Sequence, residues 1–283
     1  MAELLKGSAV AKSLTEGSKA KAAELRERGI VPTLAIVRLG ENPGDLAYEK
    51  GALKRAAQTG IEVRSFVFEE GISQEELIGA IEEINQNDSI HGVLLFRPLP
   101  KHIDEKAVCE SLRPEKDMDG ITSGSMAGVF MDSDLGYPPC TAEACIELLD
   151  HYGIELKGQK VTVFGRSLVI GKPVAMMAMR RHATITMCHS RTRLEDFAKA
   201  GQEADIVIAA LGRAKMVGSD KLGKGQVLID VGINVDEDGN LCGDMDFDEV
   251  QNDAAMITPV PGGVGSVTTA VLMKHVVAAA SRK

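Results

Sequence analysis

A glycine-containing segment between a predicted strand and a predicted helix holds residues that could bind a phosphate. It begins with Gly165, Arg166 and Ser167 and continues through Gly171 to Pro173. The first N–H groups of a helix lack partners within the helix, and proline is tolerated there, so such a turn can present N–H groups to an anion. The spacing is not Gly-x-Gly-x-x-Gly, so this loop alone supports a dinucleotide site and an ordinary strand-to-helix turn about equally.

The end of the next predicted strand favours a phosphorylated cofactor. Sites for NAD usually place an acid there, roughly 20 residues after the glycine-rich turn, where it binds the ribose hydroxyl. This sequence has His189, Ser190 and Arg191 instead. Together with Arg166, the Ser190 and Arg191 side chains could surround a 2′-phosphate, which favours NADP over NAD. The alternative for Arg191 is a solvated surface charge, and for His189 we expect packing or hydrogen bonding but not catalysis.

Two further segments follow apolar runs of strand length. Ala210 and Gly212 come after the run DIVIA, and Gly232 and Ile233 come after the run QVLID. Ligands of open parallel sheets bind beyond the carboxyl ends of the strands. Small residues at these places would let a ribose and a nicotinamide lie against the backbone.

Helical and strand patterns alternate along the chain and predict how these residues are positioned. The patterns predict helices near 8–28, 46–58, 73–85, 141–152, 172–181, 194–200 and 266–281. They predict strands near 33–37, 61–68, 92–96, 160–164, 184–187, 205–209, 226–230 and 255–258. This order indicates an α/β protein of two domains, with mostly parallel sheets covered by helices. Ser73 and Glu76 have the spacing of a helical capping box.

The composition excludes several classes of function. The chain of 283 residues has a formal net charge of −9 and is 44% hydrophobic, which suits a globular protein and argues against a nucleic-acid binder. No apolar run reaches the roughly 18 residues that span a membrane, and the first residues lack the features of a signal peptide. The five cysteines are scattered, so we expect reduced thiols in the cytoplasm and neither disulfides nor a zinc site.

Several motifs in one order resemble the methylenetetrahydrofolate dehydrogenase/methenyltetrahydrofolate cyclohydrolase family almost end to end. In the second half of the chain they are GRS at 165–167, CHS at 188–190, LIDVGIN at 228–234 and TPVPGGVG at 258–265. In the first half they are GENP at 40–43, RPLP at 97–100, PEKDMDG at 114–120 and PCT at 139–141.

The resemblance implies an N-terminal α/β folate domain, residues 1–140, and a Rossmann-like, doubly wound NADP domain, residues 141–265, with a cleft between them. Residues 266–283 would form a helix that packs back onto the first domain. The resemblance also implies a homodimer, no metal, and hydride transfer from the methylene group of a tetrahydrofolate to NADP. A cyclohydrolase activity would then open the methenyl product with water to give 10-formyltetrahydrofolate.

The resemblance further implies the residues of the site. Tyr48 would stack on the folate and Asp119 would accept hydrogen bonds from the pterin, and these two are the candidate catalytic residues. The other expected substrate contacts are Leu95, Phe96, Pro98, Gly262, Gly263 and Val264. The expected cofactor contacts are Gly165, Arg166, Ser167, Gly171, Pro173, His189, Ser190, Arg191, Ala210, Gly212, Gly232 and Ile233.

The sequence departs from the family at the catalytic lysine. The family segment reads Ser-x-x-Tyr-Val-x-x-Lys, and here Asp45 stands at the serine position and Ala52 at the lysine position. The glutamine that normally hydrogen-bonds the lysine is replaced by Phe96. Residues four apart share a helix face, so Lys50 and Lys54 are poorly placed to substitute for the missing lysine.

The paired loss predicts which activity suffers. Hydride transfer depends chiefly on alignment, because the cofactor carries the chemistry. Ring opening needs proton transfer by a positioned group, which contributes roughly 10²–10⁴-fold. We therefore expect a dehydrogenase with weak or absent cyclohydrolase activity. Two alternatives stay open: a fully bifunctional enzyme that uses Asp45, Lys54 or Arg97, and a catalytically silent folate- or NADP-binding protein.

Overall fold

A computed structural model describes residues 2–282 as two compact units, one of residues 12–140 with 269–282 and the other of residues 2–11 with 141–268. The strands are β1 (Glu3–Leu4), β2 (Thr33–Leu39), β3 (Glu62–Phe68), β4 (Gly92–Leu95), β5 (Lys160–Phe164), β6 (Thr184–Cys188), β7 (Ile206–Ala209), β8 (Val227–Asp230), β9 (Asn234–Val235), β10 (Leu241–Cys242) and β11 (Met256–Ile257). The helices are α1 (Gly7–Glu27), α2 (Pro43–Thr59), α3 (Gln74–Gln86), α4 (Glu105–Ser111), α5 (Ser123–Met131), α6 (Cys140–His151), α7 (Gly171–Arg180), α8 (Leu194–Gln202), α9 (Phe247–Val250) and α10 (Thr268–Ser281). Short 3₁₀ helices span Pro114–Lys116, Ser219–Lys221 and Val264–Ser266.

The unit of residues 12–140 and 269–282 contains a three-stranded parallel sheet in the order β3-β2-β4. The central strand β2 pairs Thr33 with Glu62 of β3 and Leu34 with Gly92 of β4. All seven residues of β2 are buried, as its apolar run predicts. β3 lies at the edge of the sheet, and its residues are exposed or half-buried.

Helix α2, which carries Tyr48 and Ala52, is delimited by its sequence. The Asn42 side chain accepts a hydrogen bond from the Gly44 N–H at 2.8 Å, which satisfies one of the free donors at the helix start. Gly60 ends the helix in the left-handed conformation at φ 75°, which glycine adopts without strain.

Helix α3 begins with the predicted capping box. The Ser73 hydroxyl accepts from the Glu76 N–H, and the Glu76 carboxylate accepts from the Ser73 N–H. Its apolar face, formed by Leu77, Ile81 and Ile84, is buried in the core beside the sheet.

The unit of residues 2–11 and 141–268 contains a six-stranded sheet in the order β1-β11-β8-β7-β5-β6, and every neighbouring pair is parallel. The chain runs from β5 to β6 on one side and then returns to β7 on the other side of β5. Such a reversal of strand order is the place where doubly wound sheets bind ligands. The predicted α/β fold of two domains with a doubly wound sheet is confirmed.

The first residues depart from the predicted domain boundary. The sequence places residues 1–140 in the folate domain, but Glu3 pairs with Met256 and Leu4 with Ile257. Strand β1 therefore extends the six-stranded sheet. Two residues are too short for an apolar pattern, so the sequence gives no sign of this strand. Residues 1 and 283, the predicted outer limits, lie outside the described residues.

The sequence patterns also miss α4, α5, α9 and the hairpin β9–β10, each of which is short or interrupted by glycine. Within residues 2–282, no helix combines the length and apolar character that crossing a membrane requires.

Candidate active site

In the unit of residues 12–140 and 269–282, two predicted substrate residues are in contact. The rings of Tyr48 and Phe96 meet edge-on, with centroids 5.9 Å apart and an interplanar angle of 83°. Tyr48 stands on α2, and Phe96 follows the carboxyl end of β4. Ala52, one turn after Tyr48, has no exposed surface, so the lysine position holds a buried methyl group. Leu95 is also buried, whereas Pro98 is exposed.

The candidate replacements for the lysine lie in different surroundings. Lys54 is exposed, and Arg97 Nη1 lies 3.5 Å from Glu105 Oε1. Asp45 is half-buried in the first turn of α2, and this burial raises the pKa of its carboxyl group, an effect that the charge of Arg38 partly offsets. Asp45 therefore keeps a proton to a higher pH than an ordinary aspartate does, which is a property that a general acid needs.

A buried ion pair fixes α2 to the sheet. Arg38 Nε of β2 donates to Glu49 Oε2 of α2 at 2.8 Å, and the two side chains are 9% and 10% exposed. Ser65 of β3 donates to the other carboxylate oxygen at 3.3 Å. The helix that carries Tyr48 is therefore tied to two strands at once. Sequence reasoning did not identify this pair, because its partners belong to different elements.

Asp119 is oriented by the segments around it. Its Oδ1 accepts a hydrogen bond from the Cys140 N–H at 2.9 Å. Burial raises the pKa of Asp119, and the hydrogen bonds from Cys140 offset part of that rise. The preceding residue, Met118, contacts helix α10. His275 Nδ1 of that helix lies 2.8 Å from the Met118 carbonyl oxygen.

In the unit of residues 2–11 and 141–268, a pocket of about 530 Å³ lies beyond the carboxyl ends of β5, β6 and β7. We call it the nucleotide pocket. The predicted cofactor residues that line it are Gly165, Arg166, Ser167, His189, Ser190 and Ala210. Sequence reasoning did not identify the other lining residues, which are Thr192, Leu194, Phe197, Leu211, Arg213, Met216 and Lys221. Thr192, Leu211 and Arg213 lie in the loops after β6 and β7, so the rule on strand ends could have found them.

Gly165 is required by the close approach of two loops. A Cβ atom at this position would lie 2.2 Å from the Ala210 carbonyl oxygen, and the backbone has φ 125°. Only glycine fits this geometry without strain. The loop after β5 can therefore lie directly against the loop after β7.

The N–H groups at the start of α7 are already hydrogen-bonded. The Ser167 hydroxyl oxygen accepts from the Ile170 N–H at 3.1 Å and the Gly171 N–H at 3.5 Å, and the Ser167 carbonyl accepts from the Lys172 N–H. Gly171 and Pro173 are buried and do not line the nucleotide pocket. A phosphate could reach these N–H groups only after the loop had rearranged.

The positive charge of the nucleotide pocket comes only in part from the residues expected. Arg191 is exposed and does not line the pocket, and its N–H donates to His189 Nδ1 at 3.1 Å. Arg166 does line the pocket, together with Arg213 and Lys221.

A second pocket, of about 190 Å³, brings predicted cofactor and substrate residues together. It is lined by Gly232 and Ile233, which follow β8, and by Gly262, Gly263 and Val264. Gly212 lines neither of these pockets.

Asp244 is fully buried and holds the loop after β7. Its Oδ2 accepts from the N–H groups of Leu211 at 2.5 Å and Gly212 at 3.2 Å. Its Oδ1 accepts from the Arg213 N–H at 2.8 Å and Asn234 Nδ2 at 3.0 Å. Since Leu211 and Arg213 line the nucleotide pocket, this carboxylate sets the position of its wall.

Asp230, at the end of β8, continues the same network. Its carboxylate accepts from the N–H groups of Gly232, Asp244 and Met245 at 2.9–3.0 Å. Burial raises the pKa of Asp230 to about 6, although these hydrogen bonds act in the opposite direction. Because Gly232 lines the second pocket, the two carboxylates connect the walls of both pockets.

Family models match most of the chain. The model for the tetrahydrofolate dehydrogenase/cyclohydrolase catalytic domain matches residues 5–119, and the model for the NAD(P)-binding domain of the same family matches residues 139–283. The chain belongs to the tetrahydrofolate dehydrogenase/cyclohydrolase family. The family predicted from the motifs is confirmed, and the second half of the chain is an NAD(P)-binding domain.

Relatives of this family member match it over nearly their full length. The bifunctional protein FolD of Carboxydothermus hydrogenoformans is 50% identical over 282 residues, which are 99% of this chain and 97% of that protein. The solved structure of the bifunctional enzyme FolD of Campylobacter jejuni is 35% identical, with a TM-score of 0.96 over 100% of this chain and 99% of that one. The FolD structure from Trypanosoma brucei, in complex with NADP and an inhibitor, is 34% identical, with a TM-score of 0.92 over 99% and 98% of the two chains.

Within residues 2–282, no group of three or more His, Cys, Asp or Glu side chains is arranged to hold a metal ion. All five cysteines are buried, and none of them forms a disulfide.

Proposed function

We propose that this family member is an NADP-dependent 5,10-methylenetetrahydrofolate dehydrogenase of one-carbon metabolism, with weak or absent cyclohydrolase activity. The observation that carries the proposal is the buried methyl group of Ala52, one turn after Tyr48, together with the Phe96 ring that contacts Tyr48. These two positions hold the proton-transferring lysine and its glutamine partner in the family pattern.

The dehydrogenase step needs alignment more than proton transfer. Bound NADP supplies the hydride acceptor, the C4 atom of its nicotinamide. Tyr48 would pack against the folate, and the Asp119 carboxylate would accept hydrogen bonds from its N–H groups. Gly262 and Gly263 would allow the backbone to approach the substrate closely. The methylene carbon loses a hydride and becomes the cationic methenyl carbon, so no side chain has to move a proton.

The cyclohydrolase step, unlike the dehydrogenase step, needs a proton transfer. Water adds to the methenyl carbon, and a proton must leave that water and reach the departing ring nitrogen. A positioned acid–base group contributes roughly 10²–10⁴-fold to such a step. Neither Ala52 nor Phe96 can transfer a proton, and Lys54 is exposed. We therefore expect hydrolysis to be slower, by a factor in this range, than in an enzyme that has the lysine.

The nucleotide pocket supports NADP as the cofactor. Arg166, Arg213 and Lys221 line it together with Ser190, and within residues 2–282 no Asp or Glu side chain does so. An NAD site would place an acid near the ribose hydroxyls.

One observation favours a second candidate function. Asp45 stands three residues before Tyr48, and burial raises the pKa of its carboxyl group. If Asp45 delivers the proton to the ring nitrogen, the enzyme is fully bifunctional, as the relatives named above are described.

We also propose a homodimer and a cytoplasmic location. Hairpin β9–β10 and the residue before it expose the apolar side chains of Ile233, Val235 and Leu241 by 70%, 62% and 53%. A second copy could cover this apolar surface. Buried cysteines that form no disulfide suit a reducing compartment. Light scattering on the native chain and on Val235→Asp tests the dimer, which should dissociate in the variant.

Two steady-state assays test the proposed activity. Reduction of NADP and of NAD with methylenetetrahydrofolate measures the dehydrogenase, and the decay of added methenyltetrahydrofolate above its spontaneous rate measures the cyclohydrolase. We expect NADP-linked reduction and little enzymatic decay. Decay that Asp45→Asn abolishes would support the bifunctional alternative. Binding of both ligands without reduction would indicate a catalytically silent protein.

A further inference from the structure

Helix α10 contacts the peptide unit from which Asp119 extends. The imidazole of His275 on this helix is only 2% exposed, and its Nδ1 lies 2.8 Å from the Met118 carbonyl oxygen. A carbonyl oxygen can only accept a hydrogen bond, so Nδ1 is a ring nitrogen that carries a hydrogen. The Met118 carbonyl belongs to the peptide bond that joins Met118 to Asp119. The orientation of that peptide bond determines where the Asp119 side chain begins.

We propose that His275 is a positioning residue for the folate site, because its hydrogen bond to the Met118 carbonyl fixes the direction of the Asp119 carboxylate. Asp119 is half-buried and His275 is buried, so a ligand can reach the first side chain while the second acts through it. This inference rests on the proposed function, because it takes Asp119 as the residue that binds the pterin.

Different elements hold the two peptide groups of Met118. Its N–H donates to the Val93 carbonyl oxygen of β4 at 3.2 Å, which ties the segment to the three-stranded sheet. Its carbonyl accepts from His275 and also from the Cys140 thiol, whose Sγ lies 3.2 Å away. A thiol is a weak donor. Loss of the imidazole would therefore leave this carbonyl with the weaker of these two partners.

The segment of residues 137–140 supports Asp119 from another direction. The Cys140 N–H donates to Asp119 Oδ1 at 2.9 Å. Gly120, at φ 61°, lies so close to this segment that a Cβ atom on it would be 2.7 Å from the Pro139 nitrogen. A rotation of the Met118 carbonyl would therefore displace Asp119 from the Cys140 N–H as well.

The same imidazole also packs on Tyr137, three residues before Cys140. The rings of Tyr137 and His275 have centroids 5.0 Å apart and an interplanar angle of 34°. Arg282 Cζ lies over the Tyr137 ring, 4.8 Å from its centroid. Tyr137 is 6% exposed, so the packing around it limits rotation of the imidazole. His275 thus contacts both of the segments that orient Asp119.

The test measures dissociation constants for tetrahydrofolate, which has the pterin without the reacting carbon, and for NADP as an internal reference. His275→Leu and His275→Phe remove the donor, and the phenylalanine keeps a ring beside Tyr137. His275→Asn keeps a donor, since its amide nitrogen is attached to Cγ as Nδ1 is. The control, Val276→Ala, removes buried methyl groups from the same helix but leaves the hydrogen bond to Met118. Circular dichroism confirms that each variant is folded.

We expect both donor-free variants to bind tetrahydrofolate roughly 10-fold more weakly. Binding should stay near the native value in His275→Asn and Val276→Ala, and NADP binding should be unchanged in all four. In an Asp119→Asn protein, His275→Leu should weaken tetrahydrofolate binding far less than in the native protein, because the two changes remove the same contact.

The outcomes separate this inference from the proposed function. Native affinity in both donor-free variants, equal weakening in His275→Asn or Val276→Ala, or additive losses in the double variant would overturn the role of His275 while that of Asp119 stands. If Asp119→Asn alone binds tetrahydrofolate as the native protein does, the proposed role of Asp119 fails, and this inference with it.

Discussion

The edge of one aromatic ring meets the face of another where Tyr48 and Phe96 approach to a centroid distance of 5.9 Å. Edge-to-face pairs contribute about 0.5–1.5 kcal/mol beyond the burial of their area. With Ala52 buried one turn away, an apolar contact replaces the lysine and glutamine of the family pattern. A lysine lost by itself would leave the glutamine without its partner, at a cost of about 1–3 kcal/mol. The two replacements together avoid that cost.

Restoring both positions should restore hydrolysis. We expect Ala52→Lys with Phe96→Gln to raise the enzymatic decay of methenyltetrahydrofolate, toward the roughly 10²–10⁴-fold that a positioned proton-transfer group supplies. Ala52→Lys alone should raise this decay rate less, because the lysine amine would enter a fully buried site without the glutamine at position 96 as its partner. The control is Ala52→Met with Phe96→Gln, which adds similar length without an amine. Equal decay rates in the lysine and methionine double variants would contradict the prediction.

Removing one partner of the Arg38–Glu49 ion pair should lower the free energy of unfolding more than replacing both partners does. Glu49→Gln leaves the Arg38 guanidinium buried without a counter-charge, which typically costs about 3–5 kcal/mol. Replacement of both partners, Arg38→Met with Glu49→Leu, should change the free energy of unfolding far less, since apolar substitutes need no desolvation. Urea unfolding measures both. A double variant as unstable as the single one would show that this ion pair is itself needed for stability.

Asp244→Asn should impair the nucleotide pocket. An asparagine has one amide oxygen, so its NH₂ group would face N–H groups of the loop 211–213 that the carboxylate now accepts. At least one donor would lose its partner, at a cost of about 1–3 kcal/mol. We expect a higher KM for NADP than in the native enzyme, with a smaller change in the KM for the folate. Asp248→Asn, on the exposed face of α9, is the control, and an unchanged KM for NADP in Asp244→Asn would refute the positioning role.

Asp230 should make stability fall as the pH rises. Its folded-state pKa is raised to about 6, so the folded protein holds this proton more tightly than the unfolded chain does. The contribution is fully present below the ordinary aspartate pKa and is lost as the pH rises through about 6, by up to about 3 kcal/mol. Hence the destabilisation caused by Asp230→Asn should be larger near pH 4 than near pH 7 in urea unfolding.

Asp236, which is half-buried, is a control whose contribution to stability should depend on pH in the opposite direction. Hydrogen bonds from Asn240 and Lys215 lower the pKa of Asp236, so its contribution is lost as the pH falls. The destabilisation by Asp236→Asn should therefore grow with pH. If the two variants share one pH trend, the assignment to Asp230 fails.

Most of the fold could be predicted because its signals are local. The apolar run 33–37 lies within the fully buried β2, and the capping box of Ser73 and Glu76 marks the start of α3. Strand β1 could not be predicted, because two residues form no pattern and their partner, β11, lies some 250 residues away. Sequence periodicity records which side of an element is apolar, but not which distant element covers it.

The candidate site shows the same division. Gly165, Arg166 and Ser190 belong to motifs beside strand ends, and all of them line the nucleotide pocket. The role of Asp244 could not be predicted. Asp244 binds a loop about 30 residues earlier through backbone N–H groups, and these groups are present whatever the residue type. Lys221 looks like an ordinary surface charge in the sequence, yet it lines the nucleotide pocket.

The central claim, a dehydrogenase without effective cyclohydrolase activity, is tested most directly by the ratio of its two products. NADPH and methenyltetrahydrofolate are followed together by absorbance while the native enzyme turns over methylenetetrahydrofolate and NADP. We predict one methenyltetrahydrofolate for each NADPH, less only the spontaneous hydrolysis measured without enzyme. A deficit of methenyltetrahydrofolate that grows with enzyme concentration at equal NADPH would contradict the claim.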